Sequence, residues 1–345
     1  MTSDILAKRK LGSTSLLLTE LGFGAGPLGN FYGAIPSSTA AATVEAAWQA
    51  GLRTFDTAPL YGYGRSELRL GHVLREMPRD QYVLCTKVGR YFVPLKPDDE
   101  TSDLRPGGLP FRPVLDYSYD GAMRSLEHSL MRIGVARVDV VHLHDLDAWA
   151  CGGEENAERY LRQAESGAFR ALSDLRASGD IRAIGVGVNQ PAWAARIIRA
   201  LDLDCVMIAG RYSLLNQEAL DDLFPLCLER NVGVLAAGPF NGGLLARGPA
   251  PGVRYNYGEP PAEVIERLDR LQAVCQRHEV PIAAAALQFT AAHPAVTSVV
   301  AGAMSPAEVK ANVGHLRRRV PASFWEDLRA SAALPSETPL PRGAL

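Results

Sequence analysis

RTFDTAPLYGYGRSELRLGHVLRE, residues 53–76, reads as one structural unit. A short apolar run breaks into a loop bearing proline and glycine, and Leu70, Val73 and Leu74 then share one side of a helical repeat. The same order recurs along the chain. Apolar runs lie at 19–24, 53–58, 82–89, 138–144, 181–188, 204–210, 232–238 and 297–303, which makes eight. Helical periodicity lies between them, at 37–51, 66–76, 121–134 and near 168–178, 190–200, 216–230 and 262–278, with a last stretch at 305–316. Nearly continuous apolar runs that alternate with helices form parallel strands covered by those helices. Eight such units predict an α/β fold of the (β/α)8 TIM barrel type; an open doubly wound sheet would use the same units.

Ahead of the first unit, KRKLGSTSLLLTEL (8–21) has two short strand patterns around a GST turn, an N-terminal β-hairpin placed to close the barrel bottom. The chain therefore reads as a single domain over residues 1–345, with the barrel proper at roughly 19–316 and a C-terminal helix and tail at 317–345. Its longest irregular stretches, roughly 90–117, 145–165 and 239–260, follow strand ends, where barrels carry functional loops.

With 36 Lys and Arg against 38 Asp and Glu, the net charge of -2 offers no general field to a phosphate backbone or an acidic membrane. Nucleic acid and membrane partners are not expected. The five cysteines are odd in number, widely spaced and mostly set in apolar runs, which argues against a disulfide framework or a CxxC metal site. MTSDILAKRKLG lacks the apolar core of a signal peptide, and no stretch approaches the roughly eighteen apolar residues of a membrane span. A cytoplasmic location is expected, with the oligomeric state open.

Three ionisable residues stand at the ends of successive apolar runs, Asp56, Lys87 and His144, and Tyr61 follows Asp56 in the same loop. Singly, such residues cap loops or fill space; converging on one barrel mouth they form a constellation. A phenol with its ordinary pKa of about 10 is a poor base at neutral pH. A nearby ammonium favours the phenolate, and a carboxylate keeps that ammonium charged and oriented. His144 can position a substrate oxygen and share the proton's path. This set suits interconversion of a carbonyl and an alcohol, with a nicotinamide supplying or accepting hydride. Two other readings use the same residues. Lys87 could form a Schiff base, as an aldolase lysine does. His142 and His144, two apart on one strand face, could begin a metal site, but His278 and His293 stand in helix or loop contexts and offer no further ligands, so no metal is expected. Near the other end, VVAGAMSPAEVKANV (299–313) runs from a strand into Ser305 and Pro306, the N-cap and first-turn residues of a helix whose free N–H groups suit a phosphate.

These motifs resemble the aldo-keto reductases. FDTAPLYGYGRSE, LCTKVGR, VDVVHLHD and VVAGAMSPAEVKANV fall in that family's order and spacing, and the likeness covers roughly residues 8–320. The resemblance implies a catalytic tetrad of Asp56, Tyr61, Lys87 and His144, with Tyr61 transferring the proton, and NAD(P)(H) held at the barrel mouth without a Rossmann domain. It places the cofactor against Asn189, Gly238, Phe240, Gly302, Ala303, Met304, Ser305, Glu308 and Asn312, with Asn189 on the carboxamide and Phe240 as stacking partner.

Within the family, LGFGAGPLGN, TKVGRY, HLHDLD, GVGVNQ and PFNGGLLARG are most similar to the aldose 1-dehydrogenase branch, which holds L-fucose, D-threo-aldose and L-galactose dehydrogenases and pyridoxal 4-dehydrogenase. That likeness implies oxidation of the anomeric carbon of an aldose of L-fucose, L-galactose or D-arabinose type to the lactone. Where members that use NADP often carry basic residues, this chain has Gly302 and Glu308. A carboxylate repels a phosphate dianion and accepts hydrogen bonds from a ribose diol, so NAD is expected over NADP. Tyr91, Phe92, Trp149 and Arg211, just past strand ends, are the expected sugar contacts. An NADPH-dependent reductase of aldehydes or ketones, a pyridoxal 4-dehydrogenase and, outside enzymes, a cofactor-binding regulatory subunit stand as alternatives.

Overall fold

The computed structural model describes residues 5–30, 32–99, 107–331, 334 and 338–341, so parts of the expected tail and of the 90–117 stretch lie outside the described residues. The chain enters through an antiparallel hairpin, β1 (Lys8–Lys10) and β2 (Leu17–Thr19). Its Leu11, Leu16 and Leu18 pack with Val83, Cys85, Val140, Ala183 and Cys205 near the starts of barrel strands, plugging the bottom as expected. Gly12 in the hairpin turn has φ 51°, and a Cβ there would stand 2.6 Å from the carbonyl oxygens of both Asp204 and Asn231. Glycine allows both the left-handed backbone and the close approach.

Eight parallel strands then close on themselves: β3 (Leu21–Gly24), β4 (Thr54–Asp56), β5 (Val83–Val88) and, after an antiparallel ribbon of β6 (Arg90–Pro94) and β7 (Phe111–Leu115), β8 (Val140–His144), β9 (Ala183–Val188), β10 (Cys205–Ala209), β11 (Gly233–Ala237) and β12 (Val296–Gly302). β12 pairs back to β3 and completes the barrel. Helices α1 (Ser37–Gln49), α2 (Arg65–Leu74), α3 (Tyr119–Ile133), α4 (Ala148–Cys151), α5 (Glu154–Ser166), α6 (Ala168–Ser178), α7 (Pro191–Ala200), α8 (Leu223–Arg230), α9 (Leu244–Arg247), α10 (Ala262–Arg277), α11 (Ile282–Ala292), α12 (Pro306–Arg317) and α13 (Ala322–Ser331) follow in chain order.

Side chains alternate along each strand, so the barrel has two cores. Phe23, Phe55, Leu84, Val141, Ile184, Val206, Val234 and Val299 face outward into the layer shared with the helices. The other face fills the interior, where Gly185 makes room: a Cβ there would come within 2.6 Å of His142 Cδ2 and of Cys205 Sγ.

All eight expected strands occur. The structure departs from expectation elsewhere. The stretch 145–165 is not irregular but carries α4 and most of α5. α5 buries only Ala157, Leu161 and Ala164, a stripe too narrow to stand out in a polar segment. α11 is apolar almost all round and so has no amphipathic period to read. The helix expected near 216–230 begins at Leu223, after a single 3-10 turn at Glu218–Leu220.

The loop that follows β4 is locked from beneath. Thr57 N–H donates to Cys85 O at 3.0 Å, and the Ser66 hydroxyl, 2.9 Å from the Thr57 hydroxyl, donates to Ala25 O at 2.7 Å. Glu67, 0% exposed, takes Arg132 Nε at 2.6 Å and the Thr86 hydroxyl at 3.0 Å. Removing one member of a buried pair leaves the other charge unsatisfied. Glu67→Ala is therefore expected to lower stability by about 3 kcal/mol, read as a lower urea midpoint, while Glu67→Gln, which keeps an acceptor, loses less. An unchanged midpoint for both variants would show that the pair does not hold this loop.

Candidate active site

Strand register explains why distant residues meet. Asp56 pairs with Cys85, Lys87 with His142, and His144 with Gly187. Lys87 lies two residues beyond Cys85, and His144 two beyond His142, so each projects from the same inward face one step nearer the barrel mouth. Asp56, Lys87 and His144 thus climb the wall of the C-terminal end, with Tyr61 reaching in from the loop after β4.

Lys87 is 1% exposed and fully engaged: Nζ donates to Asp56 Oδ1, Asp56 Oδ2 and Thr57 O, each at 2.8 Å. It stands 4.9 Å from the centre of the Tyr61 ring, and the Tyr61 and His144 rings meet edge to face at 6.0 Å. Burial works against the Lys87 ammonium, but the Asp56 carboxylate beside it outweighs that and holds the Lys87 pKa above its ordinary value. For Tyr61, burial dominates and pushes the phenol up to about 12, against the pull of Lys87. Without ligands the phenol is therefore neutral, not shifted toward the phenolate as expected from the ammonium alone. Burial also drives His144 well below its ordinary range and His142 down to about 3, so both imidazoles are neutral.

Asp56, Tyr61, Lys87 and His144 form the floor of one cavity of about 440 Å3 that reaches to the start of α12. Asn189, Gly238, Phe240, Gly302, Ala303, Met304, Glu308 and Asn312 all line it, as do Trp149 and Arg211. Ser305 does not. Its hydroxyl accepts the Glu308 N–H at 3.3 Å while Glu308 Oε2 accepts the Met304 N–H at 2.8 Å, so Ser305 is occupied in capping α12. Tyr91 and Phe92 are also absent from the wall. They sit on the β6–β7 ribbon, where Tyr91 packs under Arg124 at 4.7 Å and Phe92 lies 5.9 Å from Tyr63, turned away from the cavity. His142 faces Cys205 Sγ at 3.7 Å inside the barrel, and among the described residues no cluster of three or more His, Cys, Asp or Glu is suited to a metal.

Several cavity residues carry no signal in the sequence. Tyr257 stacks on Trp149 with ring centres 5.0 Å apart and 17° between planes, and its hydroxyl donates to Asn189 Oδ1 at 3.1 Å. Arg247 comes from the end of α9, Arg254 from the loop beyond it, and Asp145 from just past β8. Only the Gly- and Asn-rich character of 238–258 marks that loop as capable of unusual backbone; Asn256 and Tyr257 do adopt left-handed φ of 50° and 69°.

Residues 20–333 match the pattern of the Aldo/keto reductase family. The chain is 40% identical to pyridoxal 4-dehydrogenase of Microbacterium luteolum, covering 95% of this chain and 98% of that enzyme. It is 39% identical to D-threo-aldose 1-dehydrogenase of a Pseudomonas species, covering 94% and 97% respectively. An aldo-keto reductase from Bacillus halodurans, solved in its holo form, superposes with a TM-score of 0.75 at 26% identity, covering 96% of this chain and 99% of that one. Barrel, cavity and relatives agree across most of the length, and the chain belongs to the aldo/keto reductase family of oxidoreductases, which work with nicotinamide cofactors.

Proposed function

We propose that this protein is an NAD-dependent dehydrogenase that oxidises a cyclic hemiacetal at its anomeric carbon to the lactone, with an aldose of L-fucose, L-galactose or D-arabinose type as substrate. The observation that carries this reading is the convergence of Tyr61, Lys87, Asp56 and His144 at the floor of a single cavity, in a chain whose relatives are named for aldose and pyridoxal oxidation. Pyridoxal in its internal hemiacetal form is the second reading. It is favoured by the 40% relative and by the flat Trp149–Tyr257 stack at the cavity wall, which suits an aromatic ring as well as the apolar face of a sugar.

A nicotinamide dinucleotide fits this cavity, and when bound it supplies the hydride acceptor. The cavity wall at the start of α12 is made by Gly302, Ala303, Met304, Glu308 and Asn312, and Asn189 offers a carboxamide partner close to the tetrad. Glu308 favours NAD: its carboxylate, fixed by the Met304 N–H at the entrance to α12, meets a ribose diol well and a phosphate dianion badly.

In the oxidising direction Tyr61 Oη takes the proton of the anomeric hydroxyl as that carbon gives up its hydride, and the C–O bond becomes the lactone carbonyl. Lys87 stabilises the phenolate that must form first, and Asp56 keeps Lys87 charged within the barrel. In the reducing direction the neutral phenol is already the required acid.

With NAD and a panel of L-fucose, L-galactose, D-arabinose, D-glucose and pyridoxal, at least one hemiacetal should give NADH and lactone in equal amounts, and Glu308→Arg should move cofactor preference toward NADP. Silence with every hemiacetal, alongside NADPH consumption with simple aldehydes, would move the reading to a reductase. The high Tyr61 pKa also sets a pH signature. Oxidation needs the deprotonated phenol, so its kcat/KM should climb through about pH 7 to 10, while reduction, which needs the phenol, stays flat over that range. A plateau of the oxidation profile below about pH 8 would contradict this assignment of the base.

A further inference from the structure

Arg90, the first residue of the β6–β7 ribbon, is buried against the end of β8. Its Nη1 donates to Asp145 Oδ2 at 2.8 Å and lies 3.5 Å from His144 Nδ1. Asp145 follows His144 with a left-handed φ of 55°, held by its own N–H on Gly187 O at 2.8 Å and by Cys151 Sγ on its carbonyl at 3.4 Å. A non-glycine residue in that region is kept there by its surroundings. The turn places Asp145 Oδ1 3.6 Å from His144 Nε2.

The two neighbours act on opposite nitrogens of one ring. Arginine has donors only, so the nitrogen it faces, Nδ1, is left as the acceptor. A carboxylate has acceptors only, so the nitrogen nearer Asp145, Nε2, is where a hydrogen is favoured. At these distances the influence is electrostatic more than a firm hydrogen bond, yet Arg90 is buried, Asp145 is largely so, the two are paired, and both favour the same tautomer. Of the other polar groups near His144, Lys87 spends its donors on Asp56 and Thr57, and Tyr61 meets the His144 ring edge to face.

We propose that Arg90 and Asp145 are positioning residues that hold His144 in the tautomer with its proton on Nε2, so that the ring donates at that nitrogen and accepts at Nδ1. This rests on the reading of His144 as a member of the catalytic site. The ribbon inserted after β5 thereby acquires a function: it sets Arg90 against the His144 ring.

The test is a long-range 1H–15N spectrum of the full chain with 15N-labelled histidine, without ligands, near neutral pH, with His144 assigned through His144→Gln. The expected spectrum has His144 protonated on Nε2 and bare on Nδ1. Arg90→Met should give a mixed or reversed tautomer and lower kcat for hemiacetal oxidation about tenfold or more with little change in KM for NAD, while Arg90→Lys, which keeps a donor, recovers most of both. His144 protonated on Nδ1 in the unsubstituted protein overturns the proposal, as does an Arg90→Met protein with unchanged spectrum and kcat. If Arg90→Met does not fold, the unsubstituted spectrum and Asp145→Asn decide; a tautomer unmoved by Asp145→Asn counts against the pair. Because the spectrum needs no substrate, failure of the tautomer and failure of the hemiacetal reading are told apart.

Discussion

A buried ion pair, Lys87 with Asp56, is the constraint on which the rest of this molecule depends. Taking either charge out of water alone costs several kcal/mol, and the pair is tolerable only because three acceptor oxygens surround the ammonium at 2.8 Å. One of those oxygens is the Thr57 carbonyl, so the pair dictates where the loop after β4 begins. Thr57, Ser66 and Glu67 then tie that loop to β5, to the backbone at Ala25 and to α3, and Tyr61 is held between them over the ammonium. The spacing of Asp56 and Tyr61 thus reflects two demands: a charge that must be compensated and a phenol that must sit in its field.

The same restraint governs the wider site. Neutral His144, with neutral His142 beneath it, adds no charge to a floor that already holds one ammonium, and the glycines at 185 and 302 make room for the His142 ring and for Pro27. Other charges in the lining include Glu308, Arg254 and Asp145, and Asp145 is paired with Arg90, which lies outside the cavity wall. Trp149 and Tyr257, half of whose stack is fastened to Asn189, join the wall that faces substrate to the residue proposed to hold the nicotinamide.

Much of this is legible in the sequence, because parallel strands buried on both faces read as apolar runs and because strand-end residues stand at fixed steps. Asp56, Lys87 and His144 can be grouped from the sequence alone, since each ends such a run. What escapes is whatever depends on contacts across the fold. α5 hides behind glutamates and arginines because two alanines and a leucine suffice to bury it, and α11 hides because burial on all sides erases its period. The position of Tyr91 and Phe92 after β5 points to the barrel mouth, but the ribbon they begin folds back on α3 and takes their rings with it. Arg90, one residue earlier, points the other way, and nothing in LCTKVGR distinguishes a buried partner of His144 from a solvated arginine.

The most direct test of the account is the steady-state rate of lactone formation with NAD, measured side by side for the unsubstituted protein and for Tyr61→Phe, with folding checked by circular dichroism. Removing only the hydroxyl should leave the barrel intact and cut kcat about 100-fold or more, because the proposed mechanism passes the proton through that hydroxyl. A folded Tyr61→Phe protein that turns over at near-normal rate would contradict the claim that the Lys87–Asp56 pair exists to govern that phenol.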